Sequence, residues 1–223
     1  MELAMNLKVL VAAPVVAFLV MANAAEMKRP EGWSWTAQSS SEAHNVYDMG
    51  LDEQVLYQGQ RSLTLRGTNQ TDISYSAAMQ YVSSKGYQGK KVRFSGMLRT
   101  SGIDNWAGIW VRSDSVGHDV FSGDIPPPGM GSTQALSQWT PVSVVVLVGP
   151  QDSQIAMGLG LVGNGQAWLS DLKFEMVDDT VPVTTTRPAI DLAKYKKWVS
   201  QRQARAFEGP DRALPHNLEL KTE

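Results

Sequence analysis

The chain of 223 residues contains no cysteine. That absence excludes structural disulfides, thiolate-ligated zinc, a thiol nucleophile and a lipidated cysteine together. Charge is scarce as well. Charged residues are 19% of the chain and the formal net charge is −2, so the clustered basic excess of a nucleic-acid binder is missing and no nucleic-acid partner is expected. The nucleophile-elbow pattern G-x-S-x-G and the metalloprotease pattern H-E-x-x-H are both absent. Gly158 to Gly163 does match G-x-G-x-x-G, but the glycines sit inside an alternating apolar run that leads into an Asn-Gly turn. A dinucleotide fingerprint needs a helix opening there, so no cofactor is expected. His118 lies near Asp114, Asp119 and Asp124 without zinc or EF-hand spacing, and reads as solvated loop charge rather than a metal site. His44 and His216 carry no motif. The chain is therefore expected not to be an enzyme.

Long apolar runs are also few; there is one. Lys8 is followed by the apolar stretch Val9 to Met21 and then by Ala22, Asn23 and Ala24. This is the charged, apolar and small-residue order of a secretory signal peptide, expected over residues 1–24. A membrane anchor is the competing reading, but the run is short of the roughly 20 residues needed to span a bilayer. The mature protein is expected to be exported, periplasmic or extracellular, and not an integral membrane protein.

What the chain does have is period-2 alternation. From Gly59 to Val177 short β segments alternate with turn signals at Gly67, at Lys85-Gly86, at Gly149-Pro150 and at Gly163-Asn164-Gly165. Leu63 and Leu65 share one side of a segment. Tyr75, Ala77, Met79 and Tyr81 oppose Ser76 and Gln80; Val92, Phe94 and Leu98 oppose Arg93, Ser95 and Arg99. Further segments run over Val142 to Val148, Ile155 to Leu161 and Ala167 to Val177. Seven or more such strands with no helical pattern between them predict an antiparallel β-sandwich over residues 25–177. Residues 178–187 read as a linker. Pro188 then opens a predicted basic amphipathic helix, residues 188–209, stopped by Gly209-Pro210. That helix either packs on the sandwich or docks an envelope partner. Residues 210–223 are expected to be a disordered tail.

The segments Trp106 to Asp114 and Ile155 to Glu175 are distinctive. Between them lie Phe121, a Pro-rich loop from Pro126 to Thr133, and Trp139; upstream come Gly32-Trp33, Gly59 to Leu65 and Tyr87 to Gly96. In this order they resemble the galactose-binding-like, carbohydrate-binding-module type of jelly roll, found beside bacterial secreted hydrolases and attached to some transcriptional regulators. The resemblance covers about Gly32 to Val177. It implies an all-β jelly-roll sandwich, here followed by the linker and one amphipathic helix, that binds a carbohydrate or cell-envelope glycan. Such domains often open with a strand whose acidic residue helps hold calcium with an aspartate near the last strand. Glu26 to Glu31 does not read that way, although Asp171 is present, so no calcium is expected. Pro215 to Leu220 comes closer to that opening strand, so it either fills the missing edge or belongs to the disordered tail, the preferred reading.

The candidate ligand site follows from the alternation. If Ala107, Ile109 and Val111 fill the core, then Trp106, Trp110 and Arg112 face outward around Gly108. In the Ile155 segment the outward set is Ala156, Gly158 and Gly160. Small residues on an outer face leave a trough where a ligand reaches the backbone. Trp106, Trp110, Arg112 and Asp114, with Asp124 and Trp139 at the rim, form the expected ligand-binding set. An indole beside a guanidinium and carboxylates suits a saccharide. The alternative is structural: the two rings are enclosed by loops or by the C-terminal helix. The second functional reading is a structural or protein-interaction subunit of the envelope, docking through residues 188–209.

Overall fold

The computed structural model describes residues 27–38, 47–68, 75–115, 136–150, 152–184 and 213–221. The expected signal peptide, the rim residue Asp124 and the predicted helix 188–209 lie outside them. Among the described residues no helix is long and apolar enough to cross a membrane.

Among the described residues nine strands form two antiparallel sheets, the β-sandwich read from the alternation. They are β1 (Ser34–Gln38), β2 (Tyr47–Tyr57), β3 (Gln60–Gly67), β4 (Tyr75–Ser83), β5 (Lys91–Ser101), β6 (Trp106–Ser115), β7 (Thr140–Leu147), β8 (Asp152–Val162) and β9 (Gly165–Val177). A four-stranded sheet has the order β1-β4-β8-β6 and a five-stranded sheet the order β2-β3-β9-β5-β7. The main core between them holds Leu63, Leu65, Phe94, Leu98, Ile109, Val111, Ile155, Met157, Leu159, Leu161 and Leu169, all buried. The inward residues of β6 and β8 are those expected.

Two strands, β1 and β2, were not expected. β2 carries Asp48, Gly50, Asp52 and Glu53, types poor in strands, and its pairing with β3 is interrupted between Asp52 and Tyr57. The β2–β3 turn closes on Gln58 and Gly59, both with positive φ (49° and 82°), the backbone of the tight hairpin turn whose twist matches the strands.

The alternation on β4 does not have the simple meaning of one buried and one exposed face. Ser76 and Gln80 point into the sandwich and are 0% and 2% exposed, while Tyr75, Ala77, Met79 and Tyr81 line the opposite face. Their inward polar groups are satisfied across the core: Ser76 Oγ reaches Met49 Sδ at 3.2 Å, and the Gln80 amide is held by the backbone of His216.

That last contact overturns the expectation of a disordered tail. Residues 213–221 form a strap that closes the sandwich where β1, β4 and the β2–β3 turn come together. His216 N–H donates to Gln80 Oε1 at 2.8 Å and its carbonyl accepts from Gln80 Nε2. Trp33 Nε1–H donates to the Asn217 carbonyl at 3.4 Å, and Tyr87 O–H to that of Ala213 at 3.0 Å. Leu220 is 2% exposed within the main core, with Leu218 packed beside it. The expected linker is fastened too. Lys91 Nζ–H donates to the carbonyls of Asp179 and Val181, and Thr184 exchanges two 2.9 Å hydrogen bonds with Val145 at the edge of β7.

Candidate functional site

The outer face of the four-stranded sheet is built by register. Antiparallel pairing aligns Tyr75, Val162 and Trp106 in one row across β4, β8 and β6. The next rows are Ala77, Gly160 and Gly108, then Met79, Gly158 and Trp110, then Tyr81, Ala156 and Arg112. β1 extends two of them, placing Thr36 beside Ala77 and Ser34 beside Met79. The result is a floor of glycine and alanine with aromatic walls on β4 and β6 and hydroxyl-bearing residues on β1. Ala77, Met79, Trp106, Trp110 and Ala156 form a buried cluster with Tyr75, Tyr81 and Val162 packed against it.

The rings lie directly on this floor. A Cβ on Gly160 would lie 2.7 Å from Trp106 Cζ3 and 3.3 Å from Tyr75 Cε2, so the indole lies over this glycine. Trp106 and Trp110 are 4% and 7% exposed, which settles the accessibility of the rings in favour of burial. Their burial is incomplete in one chemical respect: both indole N–H groups are shielded from solvent and find no hydrogen-bond acceptor. Trp35 Nε1 is in the same condition but its side chain packs against the main core. An unpaired buried N–H costs on the order of 1–3 kcal/mol, and two on one face stand out. They are four residues apart on one strand, about 13 Å at the usual rise, a span suited to an elongated ligand.

The predicted site residues are only partly brought together. Arg112 shares the face of Trp106 and Trp110 and is half-buried. Asp114 takes the register position opposite Gln154 at the far end of β6. Trp139 is not with them. It precedes β7 in the other sheet, where its N–H donates to the Leu56 carbonyl at 3.2 Å and its ring meets Tyr57 edge-on at 5.5 Å. Chain order places Trp139 just before an apolar strand, but does not say which sheet that strand joins.

A second constellation, which alternation along the chain does not mark, lies on the outer face of the five-stranded sheet. Trp168 N–H donates to Asp52 Oδ2 at 2.8 Å and the Arg99 guanidinium lies 5.6 Å above its ring. Burial pushes the Asp52 carboxyl up, but hydrogen bonds from Val55, Trp168 and Gln54 and the nearby charge of Arg66 outweigh it and hold the group below its ordinary value. A depressed acid stabilises the fold above its unfolded value, and that contribution is lost as pH falls through the folded one. Asp52→Asn should therefore lower the urea midpoint at neutral pH, with the two proteins converging well below the carboxylate range. Asp171, the residue tied by resemblance to calcium, bonds Lys173 at 3.3 Å. Among the described residues no group of three or more His, Asp or Glu is placed to hold a metal.

No family model matches the chain. An uncharacterized HTH-type transcriptional regulator of Bacillus subtilis (strain 168), YbfP, is 31% identical over 160 residues, covering 70% of this chain and 52% of that protein. The chain thus spans about half the length of this curated relative. Similar solved structures include the CBM22-1 xylan-binding domain of Paenibacillus barcinonensis Xyn10C, at 15% identity and a TM-score of 0.47 over 70% of this chain and 92% of that one. Another is the enzymatically active domain of bacteriophage CBA120 tailspike protein 4, at 11% identity and a TM-score of 0.48 over 66% of this chain and 20% of that one. Carbohydrate-binding modules, the kind of domain the sequence resembles, are among the structural neighbours.

Proposed function

We propose that this is an exported, non-catalytic binding module whose ligand, a carbohydrate or cell-envelope glycan, lies on the outer face of the four-stranded sheet. One observation carries the reading: two buried indole N–H donors without acceptors, on a face with a glycine floor and tyrosine walls. Aromatic rings offer stacking surface to the C–H face of a sugar, and the N–H groups take its hydroxyl or carbonyl oxygens. Rings shielded to this degree admit a ligand only after local opening of the face. Export rests on the sequence from Lys8 to Ala24. The relative among regulators supports a sensing or binding role, since a stretch shared with such a protein is more simply a recognition unit than a catalyst. Residues 188–209, on which the docking alternative rests, lie outside the described residues.

The test follows from the burial. Trp110→Ala would remove a core-like side chain at a cost of roughly 3–5 kcal/mol and confuse folding with binding. Benzothienylalanine in place of Trp106 and, separately, of Trp110 keeps the bicyclic ring and exchanges only the orphan N–H for sulfur. Each is expected to leave thermal stability nearly unchanged while weakening retention on insoluble peptidoglycan or xylan about three- to tenfold, the value of one net hydrogen bond. Unaltered retention in both variants, or no retention by the parent protein on either polymer or on a glycan array, would sink the reading.

A further inference from the structure

We infer that the C-terminal strap positions the binding face, through Gln80 of β4 and the Trp33 end of β1. The inference rests on the outer face of the four-stranded sheet being the ligand site. Successive residues of a strand point to opposite faces, so what holds Gln80 on the inside fixes Met79 and Tyr81 on the outside. The Gln80 side-chain amide is bonded twice, donor and acceptor, to the peptide groups of one strap residue, His216. The same strap takes the N–H of Trp33, one residue before β1 begins, and β1 supplies Ser34 and Thr36. Two of the four strands beneath the ligand are thus held by a segment more than a hundred residues away, as the separations of 136 and 184 show. Leu220 anchors that segment in the core, so docking of the strap and the geometry of the walls are linked.

Gln80→Glu in the full-length protein isolates the link. A protonated glutamic acid reproduces both bonds: its O–H donates to the His216 carbonyl and its carbonyl accepts from the His216 N–H. The carboxylate keeps the second and sets a charge against the carbonyl oxygen in place of the first. A free glutamate titrates near about 4.3, and burial beside a carbonyl raises this value in the fold. The variant should match the parent at low pH and diverge as pH rises through the raised value. The His216–Glu31 pair, 3.5 Å apart, is common to both proteins and cancels in the comparison. With the carboxylate formed, hydrogen exchange of the Met79 to Tyr81 amides should quicken about tenfold relative to the parent at the same pH, the factor set by a loss of roughly one charge-sensitive hydrogen bond. The fluorine resonance of 5-fluorotryptophan at position 110 should shift with it, while those at Trp139 and Trp168 on the other sheet stay still. Leu218→Ala, which loosens the strap and leaves Gln80 itself unchanged, should move the same signals. If either variant frees the strap, seen at the Leu220 methyls, and Trp110 and β4 do not respond, the strap is only a cap and the inference falls. A response at Trp110 in a protein that retains no glycan would instead refute the ligand reading and leave the linkage standing.

Discussion

Gly158→Ala is expected to take away much of the protein's stability. A Cβ at this position would stand 2.0 Å from the Ala78 carbonyl oxygen and 2.9 Å from Met79 Cα, both backbone atoms of the neighbouring strand. Backbone in the middle of a paired sheet cannot step aside without breaking the ladder that aligns Met79 with Gly158 and Ala78 with Leu159. Overpacking typically costs about 1–3 kcal/mol when side chains can yield, and more when they cannot. A domain with roughly 5–15 kcal/mol of stability loses much of it at once. The melting temperature should fall by about 10 °C or more, at roughly 2–4 °C per kcal/mol. Gly160→Ala is the control, two residues along on the same face. The atoms nearest its Cβ belong to the rings of Trp106 and Tyr75, side chains and not backbone. It should cost no more than about 1–2 kcal/mol and move Trp106 in place of unfolding the sheet. Equal melting temperatures for the two variants would mean that β4 and β8 do not approach as closely as described.

Loss of the strap should be the next largest effect. Leu220→Ala removes a side chain that is 2% exposed, and such truncations cost about 2–5 kcal/mol. Removing residues 213–223 goes further, because it leaves the Gln80 amide, the Trp33 N–H and the Tyr87 hydroxyl without their partners. Urea titration should show a lower midpoint with an unchanged slope for Leu220→Ala, and a midpoint lower still for the deletion. A change within about 0.5 kcal/mol, the usual range for surface positions, would show that the strap is undocked in solution.

How far the sequence reaches can be judged residue by residue. The faces of β6 and β8 were legible because period-2 alternation is a local signal: Ala107, Ile109 and Val111 point inward, and Trp106 and Trp110 lie outward over glycines. The strap was legible only as the likeness of Pro215 to Leu220 to an edge strand, because its partners are tied to it by folding alone and no periodicity marks residues 213–221. Gln80 shows the same limit from the other side. A polar residue in alternation reads as solvent-facing until a distant peptide group is known to satisfy it. The grouping of Trp139 with Trp106 and Trp110 separated for a topological reason, since β7 joins β5 in the five-stranded sheet. The Asp52–Trp168–Arg99 set needed three strands, β2, β9 and β5, to come together.

Thr184 is fastened to Val145 and Ala213 to Tyr87, so the strap is joined to the sandwich both by contacts and by the covalent chain between these residues. A single cut between residues 184 and 213 would remove the covalent link and leave only the contacts. Return of the strap would then be a bimolecular event, governed by concentration, and the fold would come to depend on dilution.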